Sequence, residues 1–203
     1  MLTSILNFFG FPRKKKNASN DEIKKMIDSS FNDFTNRPIY KELTVDIIDK
    51  TTDDELVQTV FDNLSEKLPD DYTKEYDAVL NFSKPRQAIY LIWILEAEVS
   101  NGGFNQYYAN PSGQFAHITP RALSLVGVDM IADLVKKANT IYANENARIT
   151  EHQDGTLEGF SESYKNNPLN DLDSEFYDLS EKENLSKLQI DFIRSNKTLF
   201  ADK

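Results

Sequence analysis

The chain has 203 residues, of which 39% are hydrophobic and 28% are charged, and its formal net charge at pH 7 is −10. This length and this apolar content are typical of one folded domain and exclude a globally disordered chain. The absence of cysteine excludes disulfides and thiolate metal sites and favours a reducing, cytoplasmic location.

The negative charge is concentrated in two regions of the sequence. Residues 51–100 contain eleven acidic and four basic residues, and residues 151–203 contain twelve acidic and six basic residues. A surface of this kind repels nucleic acid and membranes and attracts basic proteins, although it also serves solubility alone. We therefore expect a basic protein partner and no direct contact with nucleic acid.

The first 17 residues predict an extension ahead of an all-helical domain over residues 18–203. The apolar part of this extension, residues 2–11, is far shorter than the roughly 20 residues that cross a bilayer. Its basic cluster, Arg13–Lys16, follows the apolar part, whereas a secretory signal begins with its positive charges. Residues 2–16 could therefore touch an anionic membrane surface weakly or dock on the domain itself.

Hydrophobic residues at helical spacing predict helices along the rest of the chain. A capping box of Thr52 and Glu55 opens one of these helices, and Pro69 closes it. Gly127 ends an element, and residues 144–170, which lack clear periodicity, predict a partly helical connection. The predicted helices cover residues 19–31, 38–50, 52–68, 84–100, 129–142, 171–179 and 181–196.

Residues 84–100 predict the centre of the fold. From Ala88 to Leu95 the only polar group is the hydroxyl of Tyr90, so other elements must surround this segment. Its β-branched and aromatic residues would also suit a buried strand, but its length and the lack of a partner strand favour a helix. We therefore predict a single compact all-α domain with a buried central helix.

The stretch EVSNGGFNQYYANPSG, residues 98–113, ends the central helix and turns the chain twice. Gly102 or Gly103 can adopt the left-handed conformation that closes a helix. Phe104, Tyr107 and Tyr108 follow at spacings of three and four, which predicts a second short helix, and Gly113 is expected to supply a positive φ in the NPSG turn.

Glu98 lies in the last turn of the apolar helix, where the helix dipole disfavours negative charge, so its carboxylate needs hydrogen-bond donors. In a structural interpretation, Glu98 pins the corner by accepting hydrogen bonds from neighbouring amides. In a functional interpretation, it is a general base beside Tyr107 or His117. A third interpretation is a small-ligand pocket around Glu98, Gln106, Tyr107 and Asn110.

Other motifs of catalysis are missing from the sequence. His117 and His152 are not paired at the spacing of metal ligands, and no HExxH arrangement occurs. No glycine-rich phosphate loop, no GxSxG elbow and no nucleophilic cysteine occurs either. The sequence therefore favours a protein that is not an enzyme and that needs no cofactor and no metal.

The glycine-rich stretch, followed by ALSLVG, LDSEFYDL at 172–179 and FIRSN at 192–196, resembles the bacterial DNA-mimic protein family, a helical domain of unknown function. The resemblance runs from about residue 50 to 200 and implies an all-helical, dimer-forming acidic protein. In the branch that gave the family its name, carboxylates occupy the DNA-binding face of a helix-turn-helix regulator. The most specific part of the resemblance comprises Glu98, Asn101, Gly102, Gly103, Phe104, Gln106, Tyr107, Asn110, Ser112 and Gly113.

Mimicry of DNA requires exposed carboxylates in rows, and the sequence offers three groups at spacings close to three and four residues. We expect these groups to form partner-binding acidic faces. The first group is Asp62, Glu66, Asp70 and Asp71; the second is Glu151, Asp154, Glu158 and Glu162; the third is Asp171, Asp173, Glu175 and Asp178.

Two functions follow from these faces. The first is a non-enzymatic interaction protein that takes the place of DNA on a basic partner such as a transcription regulator. The alternative is an immunity or antitoxin-like protein that neutralises a specific toxin, for which an acidic surface would be equally useful.

Overall fold

The computed structural model describes residues 24, 25, 28, 29, 32 and 34–202 of the chain. The predicted extension over residues 1–17 lies outside these residues, as does most of the helix predicted over 19–31. No helix within the described part is long and apolar enough to cross a membrane.

The prediction of a single all-α domain is confirmed, because the continuous part of the described chain folds into ten α-helices and two short 3₁₀ helices. The 3₁₀ helices are Tyr72–Lys74 and Pro111–Phe115. The α-helices are α1 (Val45–Lys50), α2 (Asp53–Ser65), α3 (Glu75–Asn81), α4 (Lys84–Ala109), α5 (Thr119–Val126), α6 (Asp129–Ile149), α7 (Leu157–Glu162), α8 (Asn170–Lys182), α9 (Leu185–Ser195) and α10 (Lys197–Phe200).

Helix α4 is the buried central helix that the sequence predicts. It packs against α2, α5, α8 and α10, and it also contacts α6 and the second 3₁₀ helix. Ala88, Ile89, Ile92 and Leu95 are fully buried, so apolar contacts surround the first half of α4 on several sides. The glycine break, the Glu98 side chain and the contact with α8 all belong to this helix.

Helix α1 is shorter than the helix predicted over 38–50. It begins at Val45, and Thr44 caps it through a 3.2 Å hydrogen bond from the backbone N–H of Ile47. The preceding Leu43 is held in a non-helical conformation, because its backbone exchanges hydrogen bonds with the backbone and carboxylate of Asp202. The two residues are 159 positions apart, so the local periodicity of the sequence cannot predict this contact or the start of α1 that depends on it.

Helix α2 differs from its prediction at both ends. The Thr52 hydroxyl donates to the Glu55 carboxylate over 3.0 Å instead of accepting from a backbone N–H, so only part of the predicted capping box forms. The helix ends at Ser65, before Pro69 is reached. Helix α6 differs in the other direction, since it continues to Ile149, whose side chain is 2% exposed.

The C-terminus is joined to the first helices by two polar anchors. The Asp202 carboxylate forms ion pairs with Lys67 at 3.0 Å and Arg86 at 2.9 Å. Hydrogen bonds from the backbone of Leu43 and from these cations hold the pKa of Asp202 down at about 2, although its burial alone would raise it. In α9, Arg194 donates to the carbonyl of Thr51 at 2.7 Å.

Candidate functional site

A break in α4 lies at the centre of the motif. Gly102 has φ −149° and ψ 24°, and Gly103 has φ 70° and ψ −175°. The positive φ predicted for this corner is confirmed at Gly103, but its ψ is extended, so the conformation is not left-handed helical. This region of the backbone map is essentially confined to glycine. Helical residues resume after the break and continue to Ala109, as predicted.

The backbone groups that the break exposes are bound by side chains from the C-terminal part of the chain. The N–H of Phe104 donates to Oδ1 of Asp173 over 2.8 Å. The carbonyl of Gly102 accepts from the hydroxyl of Tyr164 over 2.7 Å, and the carbonyl of Val99 accepts from that of Tyr177 over 3.1 Å. The break in α4 is therefore a joint to α8 and to the segment before it. We call these contacts the α4–α8 joint.

The joint leaves no room for side chains at either glycine. A Cβ on Gly103 would lie 2.2 Å from Oδ2 of Asp173, and a Cβ on Gly102 would lie 2.6 Å from the hydroxyl of Tyr164. Both distances are far below van der Waals contact. Gly103 thus allows α8 to approach the backbone of α4 closely, and Gly102 allows the same for Tyr164, which precedes α8.

Asp173 is partly buried in the joint. Burial raises the pKa of Asp173 to about 6, and the hydrogen bond from the Phe104 N–H opposes this change. Because the Asp173 carboxylate accepts this hydrogen bond, it faces the backbone of α4 and is not available to a partner. The expectation that Asp173 belongs to an exposed acidic face is wrong, because the residue lies on the inner side of α8.

The Glu98 carboxylate accepts hydrogen bonds from three polar side chains that follow the break. Its Oε2 accepts from Gln106 Nε2 over 2.6 Å and from Asn110 Nδ2 over 2.8 Å, and its Oε1 accepts from the Ser112 hydroxyl over 2.9 Å. Asn101 extends this network, since its amide donates to Oε1 of Gln106 over 2.9 Å. Glu98 thus connects the first part of α4 to the short helix after the break and to the turn at residues 110–113.

The proposed partners of a general base do not contact Glu98. The hydroxyl of Tyr107, which is fully buried, lies 2.9 Å from that of Thr119, and His117 Nε2 lies 3.1 Å from the hydroxyl of Tyr76. Among the described residues, no group of three or more histidine, aspartate or glutamate side chains could hold a metal ion.

Gly113 has a different role from the predicted one. Its φ is not positive, because it lies within the 3₁₀ helix Pro111–Phe115. A Cβ at this position would lie 2.8 Å from the backbone oxygen of Tyr108. Glycine is therefore required for close approach of two backbone segments. Another aromatic residue of the motif, Phe104, is fully buried and packs edge-on against Phe176 of α8.

The first predicted acidic group is divided by the fold. Asp62 is 6% exposed and accepts from both Nε and Nη2 of Arg37, at 2.6 and 2.9 Å. The prediction that Asp62 faces a partner is wrong, because this bidentate pair turns it toward the segment before α1. Glu66, Asp70 and Asp71 are exposed, and they lie where α2 ends and the following turn begins.

The second predicted group does not form a helical row. Glu151 and Asp154 lie in the loop after α6, whereas Glu158 and Glu162 lie in the six-residue helix α7. All four are exposed. Asp154 accepts from the backbone N–H of Thr156 over 2.9 Å, which stabilises the loop, and Glu162 forms an ion pair with Lys165 at 2.8 Å.

The third group provides a row of carboxylates on one helix. Asp171, Glu175 and Asp178 are exposed on α8 at spacings of four and three, so they lie along one side of the helix. We call these three residues the α8 stripe. At 3.6 residues per turn, Asp173 lies on the opposite side. Glu175 also forms an ion pair with Lys137 of α6 at 3.1 Å, and both side chains of this pair are about half exposed.

Sequence reasoning missed the contribution of Tyr164 and Tyr177 and assigned Asp173 to the wrong side of α8. All three residues reach across at least 60 residues of chain to the break. The only local signal is the apolar pattern of α8, where Leu172 and Phe176 are buried and define the inner side.

The family model described as DMP19-like protein matches residues 80–196, which is more than half of the chain and includes the break in α4 and all of α8. No curated protein and no solved structure matches the chain. The resemblance to the DNA-mimic family that the motif predicted is thus confirmed, and the chain belongs to the DMP19-like protein family.

Proposed function

We propose that the protein is a non-enzymatic interaction protein that presents the α8 stripe to a basic protein partner in the place of DNA. The family match supports a DNA-mimic role. The observation that carries the proposal is the position of Asp171, Glu175 and Asp178, which lie exposed along one side of a 13-residue helix.

The spacing of the stripe is of the right order for mimicry. Each helical residue rises 1.5 Å, so the three carboxylates follow one another at about 5 Å along the helix axis. One strand of duplex DNA carries a charge every ~3.4 Å of its axis. The stripe therefore has somewhat lower charge density than a single strand, and the ion pair with Lys137 lowers it further. Salt-dependent binding of moderate strength is the expected consequence.

In this proposal the motif positions α8 through the α4–α8 joint and does not itself contact the partner. Asp173 holds the inner side of α8 against the backbone of Phe104, while the outer side carries the stripe. Phe104 and Phe176 add an apolar contact between the same two helices. The glycines thus fix the helix that presents the charges.

Capture of partners from a lysate of the source organism tests the proposal. Full-length protein is immobilised, and bound proteins are identified by mass spectrometry at about 50 mM and about 500 mM salt. The proposal expects a basic DNA-binding protein that is retained at low salt, reduced at high salt and released by added duplex DNA. A partner that binds equally at both salts and is unaffected by duplex DNA would refute mimicry and favour an immunity role.

A further inference from the structure

An apolar groove lies on a part of the surface that carries no acidic row. It runs between the end of α3, the first two turns of α4 and helix α5, and its volume is about 350 Å³. Leu80 of α3 and Leu125 of α5 line it and remain 38% and 46% exposed, and Leu91 of α4 is also part of the lining. This volume is at the lower end of the range found for small-ligand sites.

The charges of the groove are opposite to those of the protein. The chain has a net charge of −10, yet none of the residues that line the groove is acidic. The lining contains two cations, Lys84 and Arg121. Lys84 is the first residue of α4, so the groove begins at the positive end of the dipole of the helical segment that precedes the glycine break.

Arg121 is available to a ligand. It is exposed on α5, and within the part of the chain that the structure describes its guanidinium takes part in no hydrogen bond and no ion pair. Lys84 donates to Oε1 of Gln87 over 2.9 Å, which keeps its ammonium at the groove. An uncompensated guanidinium beside exposed leucines combines an anion site with an apolar surface.

We propose that this groove binds a medium-chain aliphatic carboxylate, with its chain against Leu80, Leu91 and Leu125 and its carboxylate at Arg121 and Lys84. A neutral chain would leave the cations without a partner, and a cationic amphiphile would be repelled by them. A small hydrophilic anion would leave Leu80 and Leu125 exposed to water. The site is distinct from the α8 stripe, which selects basic groups.

Binding of decanoate to the full-length protein, followed by titration calorimetry and by amide chemical shifts, tests the proposal. The expected dissociation constant lies below ~1 mM. Shortening the probe to octanoate removes two CH₂ groups and should weaken binding by up to about 15-fold, since each buried CH₂ is worth up to about 0.8 kcal/mol. Decyltrimethylammonium should bind at least several-fold more weakly than decanoate.

Two variants and two matched controls locate the site. Arg121→Gln should weaken decanoate binding about fivefold or more, and Leu125→Asp should abolish it. Arg148→Gln and Leu157→Asp change an exposed arginine on α6 and a leucine on α7 that is 83% exposed, and both should bind decanoate normally. Thermal melting shows that each variant is folded.

Three results would overturn the proposal. The first is absence of decanoate binding at millimolar concentration. The second is equal binding of decanoate and decyltrimethylammonium, or equal effects of the groove variants and their controls, which would indicate unspecific detergent binding. The third is self-association that Leu125→Asp abolishes, since a second copy of the chain would then cover the groove.

Discussion

The carboxylate of Asp173 accepts a hydrogen bond of 2.8 Å from the backbone N–H of Phe104, 69 residues away in the sequence. The N–H belongs to the first residue after the glycine break, so the contact ties the break in α4 to the inner side of α8. Because the outer side of α8 carries the stripe, this one hydrogen bond connects the motif of the family to the proposed partner surface.

Replacement of Gly103 by alanine should destabilise the protein by about 3 kcal/mol or more. The φ of 70° with extended ψ strains an L-residue, and the new Cβ would lie 2.2 Å from Asp173 Oδ2. Gly127→Ala is the matched control, because its φ is 89° but nothing lies within 4 Å of an added Cβ. The control should cost only about 1–2 kcal/mol. Urea unfolding measures both changes, and equal costs would contradict the account of the joint.

Two replacements of Asp173 distinguish the contribution of its hydrogen bond to stability from the contribution of its charge. Asp173→Ala leaves the N–H of Phe104 without its acceptor and should cost about 1–3 kcal/mol. Asp173→Asn keeps an acceptor oxygen and removes a charge that burial disfavours, so its stability at pH 8 should equal or exceed that of the wild type. The exposed Asp171→Ala should change stability by less than about 0.5 kcal/mol. A large loss in the asparagine variant would show that the charge itself is needed.

Glu98→Gln should lower stability by about 1–2 kcal/mol. The new amide keeps only one acceptor oxygen, so it cannot accept from Gln106, Asn110 and Ser112 together, all of which donate to the wild-type carboxylate. Glu151→Gln, at an exposed loop position, is the control. Thermal melting measures the change, and the structural role is refuted if Glu98→Gln melts like the wild type but no longer binds its partner.

The stability of the protein should depend on Glu96 near neutral pH. Burial raises the pKa of Glu96 from 4.5 to about 7, and a hydrogen bond from Gln189 opposes this change. The folded state therefore holds a proton that the unfolded chain has released, and this contribution to stability is lost as the pH rises from about 4.5 through 7. A neutral carboxyl can also donate a hydrogen bond, and Oε1 of Gln189, which is buried, has no partner among the described residues.

The variant Glu96→Gln should therefore be more stable than the wild type by about 3 kcal/mol at pH 8 and by only about 1 kcal/mol at pH 5. Unfolding by urea across pH 5–8 measures the difference. Glu158→Gln, an exposed control on α7, should leave the pH dependence unchanged. A difference between Glu96→Gln and the wild type that is the same at pH 5 and pH 8 would show that Glu96 is ionised throughout.

Sequence reasoning identified the central helix, the break after Asn101 and the short aromatic helix that follows, because each depends on residues close together in the chain. Apolar runs, glycines and aromatic spacing determine these features locally. Glu98 was identified as a carboxylate in need of donors for the same reason. Its three donors lie within 14 residues of it.

The errors arise where contacts are long-range. The side of α8 to which Asp173 belongs is set by Phe104, and the burial of Asp62 is set by Arg37. The start of α1 is set by Asp202 at the other end of the chain. A count of acidic residues at helical spacing cannot distinguish a carboxylate that binds its own fold from one that faces solvent. On α8, the buried residues Leu172 and Phe176 mark the inner side of the helix and so distinguish Asp173 from the acids that face solvent.

The most direct measurement compares two variants that each lose three negative charges, at different positions on the surface. One is Asp171→Asn/Glu175→Gln/Asp178→Asn, which neutralises the α8 stripe. The control is Asp133→Asn/Glu145→Gln/Asp191→Asn, which neutralises exposed or half-exposed acids that each form an ion pair with a neighbour on their own helix. Affinity for the captured partner is measured at low salt by titration calorimetry. The account predicts that the stripe variant loses at least tenfold in affinity while the control keeps most of it. Equal losses in the two variants, or none in the stripe variant, would contradict it.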